Sequence, residues 1–498
     1  MSRLLVAIDQ GTTGSTAVVV TDDGRLVGKA TVEFPQHFPQ PGWVEHDLDE
    51  IWESVVRALD EALRLAGVRP ESVAAVGITN QRETTVLWER ETGRPVARAI
   101  VWQDRRTADR CRALRAAGHE PEVRRRTGLV LDPYFSATKI AWLLDAIPGL
   151  RERARRGAIA FGTIDSWLVW KLSGGAVHVT DASNASRTSL FDLREMRWSD
   201  RLLELFDVPR ALLPEVRGNA ERYAAVRGVP GLPDGVPIAG MAGDQQAALF
   251  GQACFEPGEA KVTYGTGAFL LVNTGDQPVE SRHGLLTTVA WRLGDRTTYA
   301  LEGATFIAGA AVQWLRDGLG IITSAAEVES LARSVDSSDG VVFVPALTGL
   351  GAPHWDPDAR GLILGITRGT TRAHLARATL EGIASQVADV TEAMASDMGR
   401  PIGRLRVDGG AAANDLLMQM QADLSAATVE RPVSVETTAL GAAYLAGLGA
   451  GLLPDLRAVG ALHRTERAFR PSMAEPDRAA WRARWEEAVR RARSESSR

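Results

Sequence analysis

Asp9-Gln10-Gly11-Thr12-Thr13-Gly14-Ser15-Thr16 follows a short apolar run, Leu4 to Ile8, and leads into a β-rich run, Ala17 to Thr21. The first run reads as a buried strand. Between them the chain turns with glycines, hydroxyls and one carboxylate. Glycine lets a backbone approach a ligand closely, and successive N–H groups at such a turn can point at an anion. A carboxylate placed like Asp9 can hold a metal, directly or through water. These residues alone allow two readings: a phosphate-and-Mg²⁺ loop, or an ordinary hairpin turn.

Working outward, the pattern returns. Ala260–Tyr264 is β-like, Gly265-Thr266-Gly267 is a tight turn, and Phe269–Asn273 is β-like again. A third strand-to-helix glycine turn lies at Asp408-Gly409-Gly410-Ala411-Ala412-Ala413-Asn414. The echo falls where a second half should begin, so the fold class reads as α/β, with two duplicated actin-like (ribonuclease H-like) ATPase lobes and a nucleotide cleft between them. The division expected is residues 1–250 for a first lobe binding substrate and phosphate, and 251–498 for a second lobe binding nucleotide and ending in a helix. No G-x-x-x-x-G-K-[ST], no protein-kinase motif set and no G-x-G-x-x-G after the first strand is present, which excludes a P-loop or protein kinase and disfavours a dinucleotide enzyme.

Composition sets the limits. The chain has 498 residues, with apolar and charged fractions ordinary for a globular protein, enough for two large cores. A net charge of −5 argues against a whole-protein role on nucleic acid or on a membrane surface. Cys111 and Cys254 are the only cysteines and lie far apart, so a reduced, cytoplasmic setting is expected. Met1-Ser2-Arg3 and the short strand after it lack a signal-peptide core, and no apolar run is long enough to span a bilayer. The sequon Asn184-Ala185-Ser186 reads as chance.

Several stretches place chemistry at element ends. Asp22-Asp23-Gly24 reads as a hairpin turn. Asp47 is a candidate N-cap for a helix over 48–66, with Ile51, Val55, Leu59 and Leu63 on one face. Val73–Thr79 is a strand ending in Asn80-Gln81-Arg82-Glu83-Thr84. That polar cluster is read either as substrate-binding at a strand's carboxyl end or as a solvated turn. Ala99–Trp102 is strand-like, and Asp132-Pro133-Tyr134-Phe135 reads as a turn with exposed aromatics. Thr180–Thr188 reads as an ordered turn region. Val236–Met241 is a strand before Ala242-Gly243-Asp244-Gln245-Gln246, where Asp244 either faces a ligand or caps the next helix. A helix over 305–317 puts Gly309 and Gln313 on one face. A long helix is expected over 372–397, an Ala/Gly-rich helix over 439–448 capped by Thr437, and a tail helix over 476–494 that packs Trp481, Trp485 and Val489 inward.

Pro41-Gly42-Trp43-Val44-Glu45-His46-Asp47, Gly77 through Thr84, Asp132 through Ser136, Ala242 through Gln246, Tyr264-Gly265-Thr266-Gly267 and Val407 through Ala411, taken in order, resemble the FGGY carbohydrate kinases over essentially the whole chain. The Asn-Gln-Arg-Glu-Thr run is similar to the branch of that family that phosphorylates glycerol. The resemblance implies transfer of phosphate from ATP, with Mg²⁺, to glycerol, giving sn-glycerol 3-phosphate. It implies that Arg82, Glu83, Tyr134, Asp244 and Gln245 bind the triol, with Trp102 and Phe269 against its carbons. It places Thr12, Thr13, Gly14 and Thr266 at the phosphates, and Gly309, Gln313, Gly410 and Asn414 around the nucleotide. Asp244 would be the general base, and Asp9 with Asp244 would serve the metal. A homodimer or homotetramer is the family's habit.

This chain also departs from the family pattern. Gly14 and Thr16 stand where the family usually has Ser and Arg, which leaves a barer phosphate loop. His354 replaces a common Tyr in the Gly-Ala-Pro-x-Trp loop, changing a loop contact. Residues 225–237 lack the Gly-Gly-x-Gly-Gly-x-Arg loop that binds a sugar bisphosphate in some relatives, and the phosphorylatable His of others is missing, so neither regulation is expected. Two alternatives stay open: a kinase of the same family for another polyol or ketose, and a non-catalytic actin-like nucleotide-binding protein.

Overall fold

A computed structural model describes residues 3–494; Met1 and Ser2, part of the N-terminal reading above, and residues 495–498 lie outside the described residues. Strands β1 (Leu4–Gln10), β2 (Gly14–Thr21) and β3 (Leu26–Glu33) run antiparallel and are followed by helix α1 (Leu48–Ala66). Strand β4 (Val73–Asn80), helix α2 (Ser136–Ala146), β5 (Ala220–Ala225), β6 (Pro237–Gly243) and α3 (Asp244–Gly251) complete the first half. Its sheet has the order β5-β6-β4-β1-β2-β3, with β1, β4 and β6 parallel.

The second half repeats this plan. It comprises β7 (Ala260–Tyr264), β8 (Ala268–Gly275), β9 (Leu286–Leu293), β10 (Arg296–Thr305), α4 (Gly309–Asp317), α5 (Arg372–Met398), β11 (Arg404–Asp408), α6 (Asp415–Ser425), β12 (Thr428–Pro432), α7 (Thr437–Gly449), β13 (Thr465–Phe469) and α8 (Glu475–Ala492). The second sheet runs β9-β10-β8-β7-β11-β12-β13. Reading each sheet outward from its first strand, an antiparallel pair lies on one side and two parallel strands with an antiparallel edge on the other. The expected duplication is therefore seen in the topology, and β9 is an extra edge strand of the second sheet.

Sequence explains the packing on both faces of the first sheet. Leu4, Val6 and Ile8 alternate toward α1 and meet Ile51, Val55 and Leu59. Each such side chain contributes about 1.5–3 kcal/mol by leaving water. Asp47 accepts from the Asp49 N–H and caps α1, as expected. Leu5 and Ala7 face the other way, onto Ala439, Ala442, Ala443 and Ala446 of α7. The small residues of α7 let it lie backbone to backbone on its neighbours: a Cβ on Gly77 of β4 would stand 2.1 Å from the Ala442 carbonyl oxygen. Helix α7 thus comes from the second half of the sequence but seats on the first sheet.

Some expectations need correction. Phe135 is buried at 2 % exposure, and the phenol-bearing Tyr134 is only partly open, so the 132–135 turn does not display its aromatics. The 305–317 helix starts at Gly309, because Thr305 still belongs to β10. Thr437 is the first residue of α7 rather than its cap, and its hydroxyl donates to the Asp408 carboxylate. Asp244 likewise opens α3, with Gly243 at the N-cap. The tail helix ends at Ala492 and buries Trp481, Trp485 and Val489 as expected.

Candidate active site

Parallel strands β1, β4 and β6 end level with one another, Asp9 opposite Thr79 and Gly243 opposite Asn80. That register brings Asp9, the Arg82-Glu83 pair and Asp244 to one edge, the carboxyl edge at which α/β sheets bind ligands. Glu83 has φ of +61°, a left-handed conformation that costs a non-glycine residue of order 1 kcal/mol or more. Its backbone carbonyl is held there by the Ser136 hydroxyl at 2.9 Å.

The side chains form a buried ionic network that spans both halves. Arg82 donates from Nη1 to Glu302 Oε2 at 2.5 Å and from Nη2 to Glu302 Oε1 at 2.9 Å. Its Nε lies 3.0 Å from Asp244 Oδ1. Arg187 donates from Nε to Glu83 Oε1 at 2.7 Å and from Nη2 to Glu302 Oε1 at 3.0 Å. Burial opposes ionisation of Glu302, but Arg187 and Arg82 outweigh it and hold the carboxyl at about 2. Burial raises the Glu83 carboxyl, with Arg82 and Arg187 pulling against it. Glu302, on β10, and Arg187, in the 182–188 segment, were not among the residues expected at the site. Their signal was present: a lone carboxylate inside the apolar run Tyr299–Ala304, and a lone guanidinium in a small-residue turn.

An aromatic wall stands beside this network. The Trp102 and Tyr134 rings meet edge-on with centroids 5.5 Å apart. Burial pushes the Tyr134 phenol well up, so it stays a neutral O–H donor. The buried Lys139 ammonium donates to the Pro133 carbonyl, and to that of Tyr134 at 2.7 Å, fixing the turn that carries the phenol. Phe269 sits opposite Ala304 on β8, on the sheet face that Glu302 also occupies. Gln245 is buried with its Oε1 taken by Lys261 Nζ, leaving its amide N–H₂ as the free end.

Two turns join β1 to β2 and β7 to β8. In the first, the Gly11 N–H donates to the Gly14 carbonyl at 2.9 Å, and Trp102 Nε1 donates to the Thr12 hydroxyl at 2.9 Å. Thr13 lies between them. In the second, the carbonyls of Gly265 and Thr266 accept from the Gly309 and Ala308 N–H groups at 3.0 and 2.8 Å. A methyl group on Gly309 would stand 2.6 Å from the Gly265 oxygen, so only glycine lets α4 approach this turn. Gln313 lies one helical turn along α4 and is exposed. Gly410 has open space beside it, with nothing within 4 Å of an added Cβ, and Asn414 caps α6 by accepting from the Leu417 N–H at 2.9 Å.

Asp9 and Asp244 fit a cation. No hydrogen bond or ion pair from another described residue engages the Asp9 carboxylate. Burial first, then the facing carboxylates of Asp244 and Glu436, push it up to about 7, and a divalent ion would relieve that repulsion. Among the described residues no three His, Cys, Asp or Glu side chains gather as a ready-made cage. This donor set matches an ion that keeps several waters and also binds phosphate oxygens.

Comparison with known proteins gives the chain's family. The N-terminal domain of the FGGY family of carbohydrate kinases matches residues 4–251, and the C-terminal domain matches residues 260–450. The chain is 59% identical to a glycerol kinase of Myxococcus xanthus over 99% of both chains, and 55% identical to glycerol kinase 2 of Thermotoga maritima over 98% of both. Its structure is similar to that of Plasmodium falciparum glycerol kinase with ADP, at a TM-score of 0.93 and 36% identity over 99% of this chain and 98% of that one. With both family domains matched and relatives aligned end to end, the chain belongs to the FGGY family of carbohydrate kinases.

Proposed function

We propose that this protein transfers the terminal phosphoryl group of ATP to glycerol, forming sn-glycerol 3-phosphate. The observation that carries the reading is the buried Arg82–Glu83–Arg187–Glu302 network ending on Asp244. Glycerol is small and uncharged, so its binding depends on hydrogen bonds to its hydroxyls; Arg82, whose fork is taken up by Glu302, has one Nη2 N–H left to donate, and Glu83 accepts. Trp102, Tyr134 and Phe269 give its carbons an apolar wall and exclude water.

Asp244 serves as general base. Its Oδ1 already accepts from the Gln245 N–H at 2.7 Å and is ion-paired with Arg82, whose Nε lies 3.0 Å away. Oδ2 is therefore the oxygen left to take the proton of the attacking hydroxyl. Mg²⁺ would be held by Asp9 with Asp244 facing it, and when bound it neutralises charge on the transferring phosphoryl group. Thr12, Thr13, Gly14 and Thr266 meet the phosphates, and Gly309, Gln313, Gly410 and Asn414 border the nucleotide. Residues 1–250 and 251–498 act as the two lobes of this clamp, except that α7 of the second span seats on the sheet of the first. The buried free thiols of Cys111 and Cys254 suit a cytoplasmic enzyme, and a homodimer or homotetramer is the assembly expected. No described helix is long and apolar enough to cross a membrane.

The test is ADP formation from ATP with glycerol against a panel of other polyols and ketoses. Turnover with glycerol above all others supports the reading. Preference for a ketose would reassign the substrate within the family, and no acceptor-dependent ADP would make the protein a nucleotide-binding relative without this chemistry.

A further inference from the structure

We propose that His46 is a positioning residue for the nucleotide phosphates: by fixing the amide of Gln36 it fixes which way the Thr12–Thr13 peptide faces. The inference rests on the reading above that the 11–14 turn meets those phosphates.

The strand ladder of β1 stops at Gln10 and that of β2 starts at Gly14, so the peptide planes between them are set by something else. Three side-chain amides set them. Gln36 Nε2 donates to the Thr12 carbonyl at 2.9 Å and toward that of Phe34 at 3.4 Å. Gln10 Nε2 and Gln81 Nε2 donate to the Gly11 carbonyl at 2.8 and 3.1 Å. In a trans peptide the C=O and the following N–H point in opposite directions. Holding the carbonyls of Gly11 and Thr12 inward therefore turns the N–H groups of Thr12 and Thr13 outward together. Among the described residues neither N–H has a protein partner. Two adjacent free N–H groups on one side of a turn make an anion-binding concavity.

His46 holds this arrangement in place. It is fully buried and stands edge-on to the Phe34 ring, with centroids 5.0 Å apart. Carbonyl oxygens only accept, so the Gln36 N–H₂ must face Thr12 and its Oε1 must face His46. His46 Nε2 must then carry the proton and donate to Gln36 Oε1, at 2.7 Å. Nδ1 is left as the acceptor facing Gln81 Nε2, at 3.3 Å. One buried imidazole, in one tautomer, thereby holds the Oε1 end of Gln36, while Gln81 is oriented by Gln10 Oε1 at 3.0 Å and the Thr84 hydroxyl at 2.9 Å. Without it the Oε1 end of Gln36 loses its partner, and only the carbonyls of Thr12 and Phe34 hold the amide in place.

Equilibrium binding of ADP with Mg²⁺, and separately of glycerol, on H46L, Q36L and H46Q tests this. H46L and Q36L should weaken ADP roughly tenfold, the scale of one lost hydrogen bond, with glycerol binding unchanged. H46Q, whose Nε2 can replace the donor, should hold ADP within about twofold of the parent. Gln36 is only half-buried, so Q36L keeps the test alive if H46L does not fold. Parent-like ADP affinity in Q36L or in folded H46L overturns the inference. So does a loss in H46Q as large as in H46L, or a fall in glycerol affinity that matches the fall for ADP. A parent protein that binds no ADP would remove the phosphate reading itself.

Discussion

Replacing Arg187 by Met keeps most of the buried stem and removes the charge. Arg187 lies at 0 % exposure, 2.7 Å from Glu83 and 3.0 Å from Glu302. The two carboxylates do not suffer equally. Glu302 keeps both bonds from Arg82, at 2.5 and 2.9 Å. Glu83 keeps only the Arg82 Nε, 3.9 Å away and beyond hydrogen-bond reach. The loss therefore falls on Glu83, and stranding a buried charge costs about 3–5 kcal/mol. Protonation offers partial relief. Burial already raises the Glu83 carboxyl, and removing Arg187 takes away a charge that lowered it. An acid whose folded pKa lies above the unfolded ~4.3 binds more protons when folded, so stability falls as pH rises between the two values. Denaturant unfolding of R187M against the parent should show a deficit at about pH 8 that shrinks near pH 5. The glycerol KM should rise on the order of 10–100-fold, the weight of about 1.5–3 kcal/mol for a hydrogen bond to a charged group. The KM for ATP should barely move. A variant as stable as the parent at both pH values, with an unchanged glycerol KM, would refute the reasoning.

Asp244→Asn should lose ~10²–10⁴-fold in kcat, the usual scale for an acid–base group, and near-normal turnover would remove Asp244 as the base. Glu83→Ala should raise the KM for glycerol; if it altered only ATP affinity, the pocket map would be wrong. Fructose 1,6-bisphosphate should leave the rate unchanged. The 225–237 segment is a short closed loop, in which the Val226 and Gly235 N–H groups bond back to Val236 and Val226 and the Gly228 N–H to Asp234, and a clear response in rate assays would contradict that.

What could be read from the sequence was local. The β1 turn, its echo at Gly265–Gly267, and α1 with its Asp47 cap all depend on short-range patterns of apolar period and turn chemistry, and the structure keeps them. The start of α4 was misplaced because the apolar, glycine-rich residues before it suit a strand end as well as a helix. Glu302 and Arg187 escaped for a different reason. Their pairing joins residues 115 positions apart, and Arg82 reaches Glu302 across 220. Periodicity carries no information at that range. A charge inside an apolar run signals that a partner exists, but not which residue it is.

The Gly14 and Thr16 departures take on a definite meaning in this frame. A Cβ on Gly14 would lie 3.1 Å from the Val32 carbonyl oxygen of β3, tight enough that glycine suits the site. Thr16 spends its hydroxyl on Thr31 at 2.9 Å, within the hairpin. Neither position then offers a side chain to a phosphate. The first turn is left with the Thr12 and Thr13 side chains and with backbone N–H groups. A backbone donor is useful only if its peptide plane is held, since its direction is all that distinguishes it from any other N–H. The barer the turn, the more its anion binding depends on the side chains behind it, and Gln10, Gln36, Gln81 and His46 lie behind this one.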